Sequence, residues 1–394
     1  MKAIYMDHNS TTPCDPRVVA KMAPYLGESF GNASSEHFFG KEAAEAVEKA
    51  RESVATLIGA SAQELLFTSG TTESINLAVK GVCKAYREEG NRLVTVATEH
   101  KAVLESFNAM QSEGFEVEIL PVDRFGLVDP KGVEKALTPP TILLAVMLGN
   151  NEIGTLHPIF EIGRIAKEKG VLFLCDAAQA VGKIAVDVER MNADLLTVSG
   201  HKMYGPKGVG ALYVRRKNPR VRLAPAVFGG GQERGLRSGT LNVPGIVGLG
   251  EACAIARSEW QGEGLRLQTL RERLKNGILS RLEGVFLNGH PSSRLPHNLS
   301  LSFANVDPEP FLALVREELA ISTGATCTAT SVEPSHVLKA VGVEADLAQA
   351  TVRFGLGRFN TEQEVDRVIE LVVGAVSKLR SVRLRFPSEA SAEQ

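Results

Sequence analysis

From residue 65 to residue 216 the chain alternates short apolar runs with helical patterns, and this alternation limits the folds open to it. Runs rich in Val, Leu and Ile, such as "TILLAVML" and "VLFLCDAA", alternate with amphipathic stretches such as "IFEIGRIAKEKG". Strands that are apolar on both faces are typical of a mainly parallel sheet that helices cover on both sides. The sequence therefore predicts an α/β protein whose large domain is a three-layer α/β/α sandwich.

A different pattern follows residue 244. A long helical pattern at 246–282 leads to the alternating run "NLSLSFANV", then to "TVRFGLGRF" and an amphipathic C-terminal helix. Alternation with period two indicates strands with one covered face. We therefore predict a large domain at residues 15–256 and a smaller α+β domain formed by residues 1–14 and 257–394, with a polar tail at 386–394.

Composition excludes some partners. The net charge of −2 argues against bulk electrostatic attraction to nucleic acid or to a membrane surface. The five cysteines are scattered and odd in number, without the spacing of a zinc site, which suits free thiols in a reducing compartment. The N-terminus has no leader pattern, and no run approaches the roughly 18 apolar residues of a membrane span. The expectation is a cytoplasmic protein that binds neither nucleic acid nor a membrane.

Polar residues stand where the predicted strands end, which is where open α/β sheets bind ligands. "TSGTTES" opens a helix at Thr71 and Thr72. Such a helix N-terminus suits a phosphate, although Ser and Thr at this position are most often plain caps. His100 follows the next strand, as a ligand contact or as a cap. Asn150 and Asn151 follow another, where ordinary turn chemistry is the alternative.

Two further strand ends carry stronger signals. Asp176 and Gln179 follow the apolar run "VLFLCD". A carboxylate at that depth needs a partner, either a structural arginine or a cationic ring nitrogen on a cofactor. Ser199, His201 and Lys202 precede a glycine-rich loop. Because desolvation makes a lysine amine neutral and nucleophilic, Lys202 is a candidate for bonding an aldehyde, and a solvated surface lysine is the alternative.

These residues together define one ligand. It carries a phosphate, an aldehyde for Lys202, a ring-nitrogen cation for Asp176 and a flat ring face for His100. Pyridoxal 5′-phosphate has all four, and an aspartate beside its ring nitrogen strengthens it as an electron sink. The sequence therefore predicts pyridoxal 5′-phosphate as the cofactor, without a metal.

Ten ordered motifs between about residue 3 and residue 375 resemble one known family. They are "YMDHNSTTP", "GNASSEHFFG", "SGTTESIN", "TEHKAV", "NNEIGT", "DAAQAVGK", "SGHKMYGPKG", "GGGQERGLRSGT", "EPSHVL" and "VRFGLGRFN". The sequence is similar to the cysteine desulfurases of the NifS/IscS-like group, within the class-V, fold-type I pyridoxal-phosphate enzymes. The resemblance implies their two-domain α/β fold and a homodimer.

The resemblance also implies residue roles. Lys202, His100 and Cys327 would be catalytic, with Lys202 holding the cofactor covalently. Arg353 would clamp the carboxylate of the substrate, L-cysteine. The full sets are Thr71, Thr72, His100, Asn151, Asp176, Gln179, Ser199, His201, Lys202 and Thr240 for the cofactor, and Asn32, Asn151 and Arg353 for the substrate. Thr240 of one subunit would complete the neighbouring site.

Cys327 lies in "AISTGATCTATSVEPSH", a stretch of small and hydroxyl-bearing residues. In the family resembled, this cysteine attacks the substrate sulfur, so that alanine leaves and a persulfide remains. The sulfur then passes to an acceptor such as an iron–sulfur scaffold protein. Because such a stretch buries little apolar area, we predict that residues 324–332 are poorly ordered.

Alternatives remain at this stage. A selenocysteine lyase or another class-V enzyme shares most of the motifs, and a cofactor-free sulfur carrier would share the fold. The sequence departs from the family pattern at Ser10 and Ala33, where alanine and proline are usual, and at Thr326. None of these changes removes a chemical group that the reaction needs.

Overall fold

The computed structural model describes residues 3–323, 325–328 and 331–385. Its strands are β1 (Ile4–Tyr5), β2 (Leu65–Thr68), β3 (Arg92–Val96), β4 (Glu116–Leu120), β5 (Thr141–Ala145), β6 (Leu172–Asp176), β7 (Leu195–Ser199), β8 (Gly210–Val214), β9 (Val285–Leu287), β10 (Asn298–Phe303), β11 (Leu319–Ala320), β12 (Ser322–Thr323), β13 (Ala325–Thr328), β14 (Ser331–Pro334) and β15 (Thr351–Gly355). Its helices are α1 (Pro16–Met22), α2 (Phe38–Ile58), α3 (Thr71–Ala85), α4 (Lys101–Ser112), α5 (Pro130–Ala136), α6 (Ile159–Lys169), α7 (Val243–Leu279), α8 (Pro308–Val315), α9 (His336–Ala340), α10 (Ala345–Gln349) and α11 (Glu362–Arg385). Of the helices in this described part, none is long and apolar enough to cross a lipid bilayer.

Seven strands form one sheet in the order β2-β8-β7-β6-β5-β3-β4. The neighbours from β7 to β4 are parallel, whereas β8 runs antiparallel between β2 and β7. Every residue of β5, β6 and β7 is buried, as expected for strands that helices cover on both faces. The mainly parallel sheet predicted from the sequence is confirmed.

Successive side chains along β5 lie in two separate cores, one on each face of the sheet. Leu143 lies in the core that includes Phe107 of α4, whereas its neighbour Leu144 lies in the core that includes Val47 of α2. Because alternate residues of a strand point to opposite faces, a helical layer lies on each side of the sheet. The predicted three-layer architecture follows from this double burial.

A second, antiparallel sheet has the order β12-β15-β10-β9 and a core of its own. Its core takes residues of α7 from Leu267 onward, whereas α7 residues up to Ile255 belong to the large-sheet core. Met6 also packs in the second core. Along α7, the switch from one core to the other falls near the predicted domain boundary at residue 256. The boundary stays a prediction, because α7 runs through it without a break.

The N-terminal segment connects the two sheets. β1 pairs in parallel with β11 beside the second sheet. Farther along, the Thr12 N–H donates to the His201 carbonyl at 2.9 Å, and the Asp15 N–H donates to the Tyr204 carbonyl at 2.9 Å. Residues between these two points therefore cross the end of β7, where Lys202 lies.

The segment that carries Cys327 contains paired backbone. β13 and β14 form an antiparallel pair in which Cys327 is opposite Val332. Gly324, Ala329 and Thr330, like the side chain of Cys327, lie outside the described part of the chain. The poor order expected for 324–332 therefore stays a prediction.

Candidate active site

A cavity of ≈ 660 Å³ opens at the carboxyl ends of the large sheet. Most of the predicted site residues line it, namely Thr71, Thr72, His100, Asn151, Asp176, Gln179, Ser199, His201, Lys202 and Arg353. Asn32 and Thr240 are exposed and do not line this cavity. The sheet topology thus gathers side chains from five strand ends, and Arg353 reaches them from the second sheet.

Lys202 ends a 3₁₀ turn (Gly200–Lys202) that follows β7 directly. Its Nζ donates hydrogen bonds to the backbone carbonyls of Asn9 and Ser10, each at 2.6 Å. Removal from water lowers the pKa of Lys202 to about 8, and the charge of Arg353 acts in the same direction. A lysine with this pKa carries a larger neutral, nucleophilic fraction at neutral pH than an ordinary lysine.

This lowered pKa predicts the reactivity of Lys202. In cofactor-free protein, we expect acetylation of Lys202 by acetic anhydride to rise with pH through a midpoint near 8, because only the neutral amine is nucleophilic. Mass spectrometry of the Lys202 peptide gives the midpoint, with a free lysine derivative as the internal reference. A midpoint near the ordinary lysine value of about 10.4 would contradict the effect of burial.

Asp176 ends β6 and is only 5 % exposed. Its Oδ1 accepts hydrogen bonds from the Thr197 hydroxyl at 2.8 Å and from the Ala178 N–H at 3.0 Å. Within the described residues, no arginine or lysine lies at ion-pair distance from Asp176, so the structural-arginine alternative is not supported. A buried carboxylate in this position suits a cationic group on a ligand.

The N-terminus of α3 faces the same cavity without a side-chain cap. The residue before it, Gly70, has a φ of 145°, and a Cβ there would enter open space. The buried Thr71 Oγ1 has no hydrogen-bond partner among the described residues. Uncapped N–H groups and the helix dipole attract an anion, so this end of the cavity suits a phosphate.

Ser199 ends β7 and His201 lies on the turn that follows, and both line the same cavity as the start of α3. His201 Nδ1 is 3.1 Å from the Thr11 hydroxyl. Removal from water, with repulsion from Lys202, lowers the pKa of His201 to about 4. His201 is therefore a neutral hydrogen-bonding group at this end of the cavity.

His100 is both a helix cap and a cavity residue. Its Nδ1 accepts a hydrogen bond from the Ala102 N–H at 3.1 Å, at the start of α4. Removal from water is the main cause that lowers the pKa of His100, and Lys202 adds to it while Asp176 opposes it. The ring is therefore neutral at neutral pH, and because Nδ1 accepts, its proton lies on Nε2.

The two consecutive asparagines have different roles. Asn150 is buried, and its Oδ1 accepts from two backbone N–H groups of its own turn. Turn chemistry therefore accounts for Asn150. Asn151 lines the cavity, and its carbonyl accepts from Arg353 Nη1 at 3.2 Å.

Reasoning from strand ends missed a cluster of buried polar residues near Lys202, namely Asn9, Lys183 and His297. The Asn9 carbonyl accepts from Gln179 Nε2 at 2.9 Å as well as from Lys202. The Asn9 side-chain Nδ2 lies 3.3 Å from His297 Nε2, which is 3.1 Å from Nζ of the buried Lys183. The polar run "DHNSTT" is the sequence signal for this contribution, but it follows no strand of the large sheet.

Comparisons with known proteins identify the family of this chain. Residues 4–368 match the family "Aminotransferase class-V". Over 380 residues the chain is 57% identical to "Cysteine desulfurase IscS" of Anaeromyxobacter dehalogenans (strain 2CP-C), covering 96% of this chain and 94% of the relative. It is 50% identical to the protein of that name in Rickettsia rickettsii (strain Iowa), over 96% of this chain and 92% of the relative.

A solved structure described as a NifS-like protein has a TM-score of 0.89 and 38% identity, and the match covers 96% of this chain and 100% of that one. The chain therefore belongs to the class-V aminotransferase family. Its relatives there include IscS- and NifS-like proteins, as the ten motifs predict.

Proposed function

We propose that this chain is a cysteine desulfurase that uses pyridoxal 5′-phosphate to remove sulfur from L-cysteine, releasing L-alanine and leaving a persulfide on Cys327. The observation that carries this proposal is the half-buried Lys202 amine, whose hydrogen bonds go to backbone carbonyls, in a cavity shared with Asp176 and Arg353. The names of relatives at 57% and 50% identity support the same activity.

The cavity residues fit the proposed cofactor. Lys202 would bond its aldehyde carbon, Asp176 would pair with its ring nitrogen, and His100 would contact the ring. The remaining residues that would hold it are Thr71, Thr72, Ser199 and His201 at the phosphate, with Asn151 and Gln179 beside the ring. When bound, the cofactor supplies an electron sink for the carbon atoms next to the substrate amine.

The chain's own residues then bind the substrate and move protons. Arg353 binds the carboxylate of L-cysteine through charge-assisted hydrogen bonds. Lys202 Nζ, released from the cofactor, takes the α-proton, and its pKa of about 8 is close to a neutral working pH. His100, which lines the same cavity, would be the second proton-transfer group.

Cys327 performs the sulfur transfer. Its thiolate attacks the substrate sulfur, so that an S–S bond forms while the C–S bond breaks. The electron pair of the broken bond stays with the carbon, which is then protonated and leaves as part of alanine. A second thiolate can later take the terminal sulfur from Cys327 by exchange.

We also propose a homodimer in which Thr240 completes the neighbouring site. Thr240 is exposed and does not line the cavity of its own chain. The preceding segment is anchored through Glu233, whose buried carboxylate forms a 2.8 Å ion pair with buried Arg51. A firmly held segment that ends in an exposed threonine is suited to contact a second copy of the chain.

We propose that the terminal sulfur of the Cys327 persulfide passes to an acceptor protein, such as an iron–sulfur scaffold, in the cytoplasm. Cys14, Cys83, Cys175 and Cys253 are free thiols, as is typical of a reducing compartment. The net charge of −2 gives no support for a nucleic-acid or membrane partner.

The direct test is turnover of L-cysteine by the purified, cofactor-loaded protein with dithiothreitol present. We expect alanine and sulfide to appear in equal amounts, because each C–S cleavage gives one of each once the persulfide is reduced. Pyruvate in place of alanine, or no product at all, would reject the assignment.

A further inference from the structure

Three side-chain oxygens hold the guanidinium of Arg353. Its Nη2 lies 2.6 Å from Ser10 Oγ, 3.0 Å from Asp7 Oδ1 and 3.1 Å from Ser322 Oγ. Nη2 carries only two N–H bonds, so these three acceptors already use all of its donor capacity. The plane of the guanidinium is therefore determined by these neighbours.

The three oxygens also contact one another. Ser322 Oγ donates to Asp7 Oδ1 at 2.8 Å and lies 3.4 Å from Ser10 Oγ. The backbone of Ser322 on β12 is directly opposite Arg353 on β15. The network thus joins the N-terminal segment to the second sheet at the side chain of Arg353.

Arg353 keeps donors for a ligand. Its Nη1 has one acceptor among the described residues, the Asn151 carbonyl at 3.2 Å, so one of the two N–H bonds of Nη1 is left for a ligand. A carboxylate binds a guanidinium best when it lies in the guanidinium plane. The groups that fix this plane at Nη2 therefore fix where a carboxylate can bind.

Ser10 contacts both sides of the proposed chemistry. Its carbonyl accepts from Lys202 Nζ at 2.6 Å, and its hydroxyl lies 2.6 Å from Arg353 Nη2. Ser10 therefore links the amine that takes the α-proton to the arginine that binds the carboxylate.

We propose that Ser10 and Ser322, together with Asp7, are positioning residues that orient Arg353 for the carboxylate of an amino-acid substrate. This inference rests on the proposed function, since it takes L-cysteine as the ligand of Arg353. Ser10 contributes through its side chain to substrate binding and through its backbone to the position of Lys202.

The test is the substitution Ser10→Ala, which removes the hydroxyl and keeps the backbone carbonyl that accepts from Lys202 Nζ. We expect the KM for L-cysteine to rise about tenfold, as for loss of a hydrogen bond to a charged group, while kcat changes less than about twofold. Ser322→Ala should raise KM in the same way. The matched control is Ser300→Ala, because Ser300 is opposite Arg353 on β10 but its hydroxyl accepts from Asn288 at 3.3 Å.

A binding measurement separates this inference from the proposed function. Cofactor-loaded wild type and variants are titrated with L-alanine, and with cysteamine, which lacks the carboxylate, while the cofactor absorbance is followed. We expect Ser10→Ala to weaken L-alanine binding about tenfold and to leave cysteamine binding unchanged. If wild type binds L-alanine but releases no sulfide from L-cysteine, the proposed function fails and the inference about Arg353 is still decided by the titration. Unchanged L-alanine binding in Ser10→Ala, or an equal loss for cysteamine, would overturn the inference.

Discussion

Replacing Lys202 with alanine is expected to abolish covalent attachment of the cofactor and to lower turnover of L-cysteine by about 10³-fold. Among the described residues, two lysines line the cavity, Lys202 and Lys207. Lys207 is exposed, whereas Lys202 is half-buried and has a pKa lowered to about 8. Lys202 therefore combines an increased neutral fraction with a half-buried position in the cavity, and we expect it to be the lysine that reaches the α-carbon.

The attachment can be measured apart from activity. Borohydride reduction of the cofactor-loaded protein, followed by digestion and mass spectrometry, should place the cofactor mass on the Lys202 peptide of wild type and on no peptide of Lys202→Ala. Lys207→Ala should keep the attachment and serves as the control. A cofactor adduct that persists in Lys202→Ala at another lysine would show that Lys202 is misassigned.

The strand ends were predictable from the sequence because parallel strands share one edge of a sheet. "VLFLCD" and "LLTVS" each end in a polar residue, and in the structure Asp176 and Ser199 line one cavity. The apolar runs identify the strands, and the direction of a parallel sheet then places all of their carboxyl ends together. Chemistry-bearing residues at these positions could therefore be grouped before the fold was known.

The contacts behind the cavity could not be predicted in this way. Arg353 Nη2 meets Asp7, which is 346 residues away along the chain, and Arg51 meets Glu233 across 182 residues. Hydrophobic periodicity reports which face of an element is buried, but it does not report which distant segments meet. The carbonyls of Asn9 and Ser10 that accept from Lys202 belong to backbone, so no side-chain pattern marks them.

For His100, the sequence analysis offered two roles as if only one could hold. A cap and a ligand contact were considered as competing roles, yet the structure leaves both open, since Nδ1 caps α4 while His100 also lines the cavity. The cap also fixes the tautomer. The cap therefore orients the ring in the way that the proposed role of His100 requires.

Replacing Cys327 with alanine is expected to leave cofactor attachment at Lys202 intact and to lower sulfide release by about 100-fold or more, since no nucleophile then takes the substrate sulfur. The other cysteines are poor replacements. Burial raises the pKa of the thiols of Cys83, Cys175 and Cys253, and burial with the nearby Asp15 raises that of Cys14. A thiol with a raised pKa forms less of the reactive thiolate.

Cys14→Ala is the matched control for this prediction, because Cys14 is the most exposed of the four described thiols. Wild type and both variants receive L-cysteine without reductant, and the digested peptides are searched for one added sulfur atom. We expect the added sulfur on the Cys327 peptide in wild type and in Cys14→Ala, and on no peptide in Cys327→Ala. Equal sulfide release from wild type and Cys327→Ala would remove Cys327 from the mechanism. If the persulfide instead appears on Cys14, the nucleophile comes from the N-terminal segment, where Asn9 and Ser10 already contact Lys202, and Cys327 would lose its assigned role.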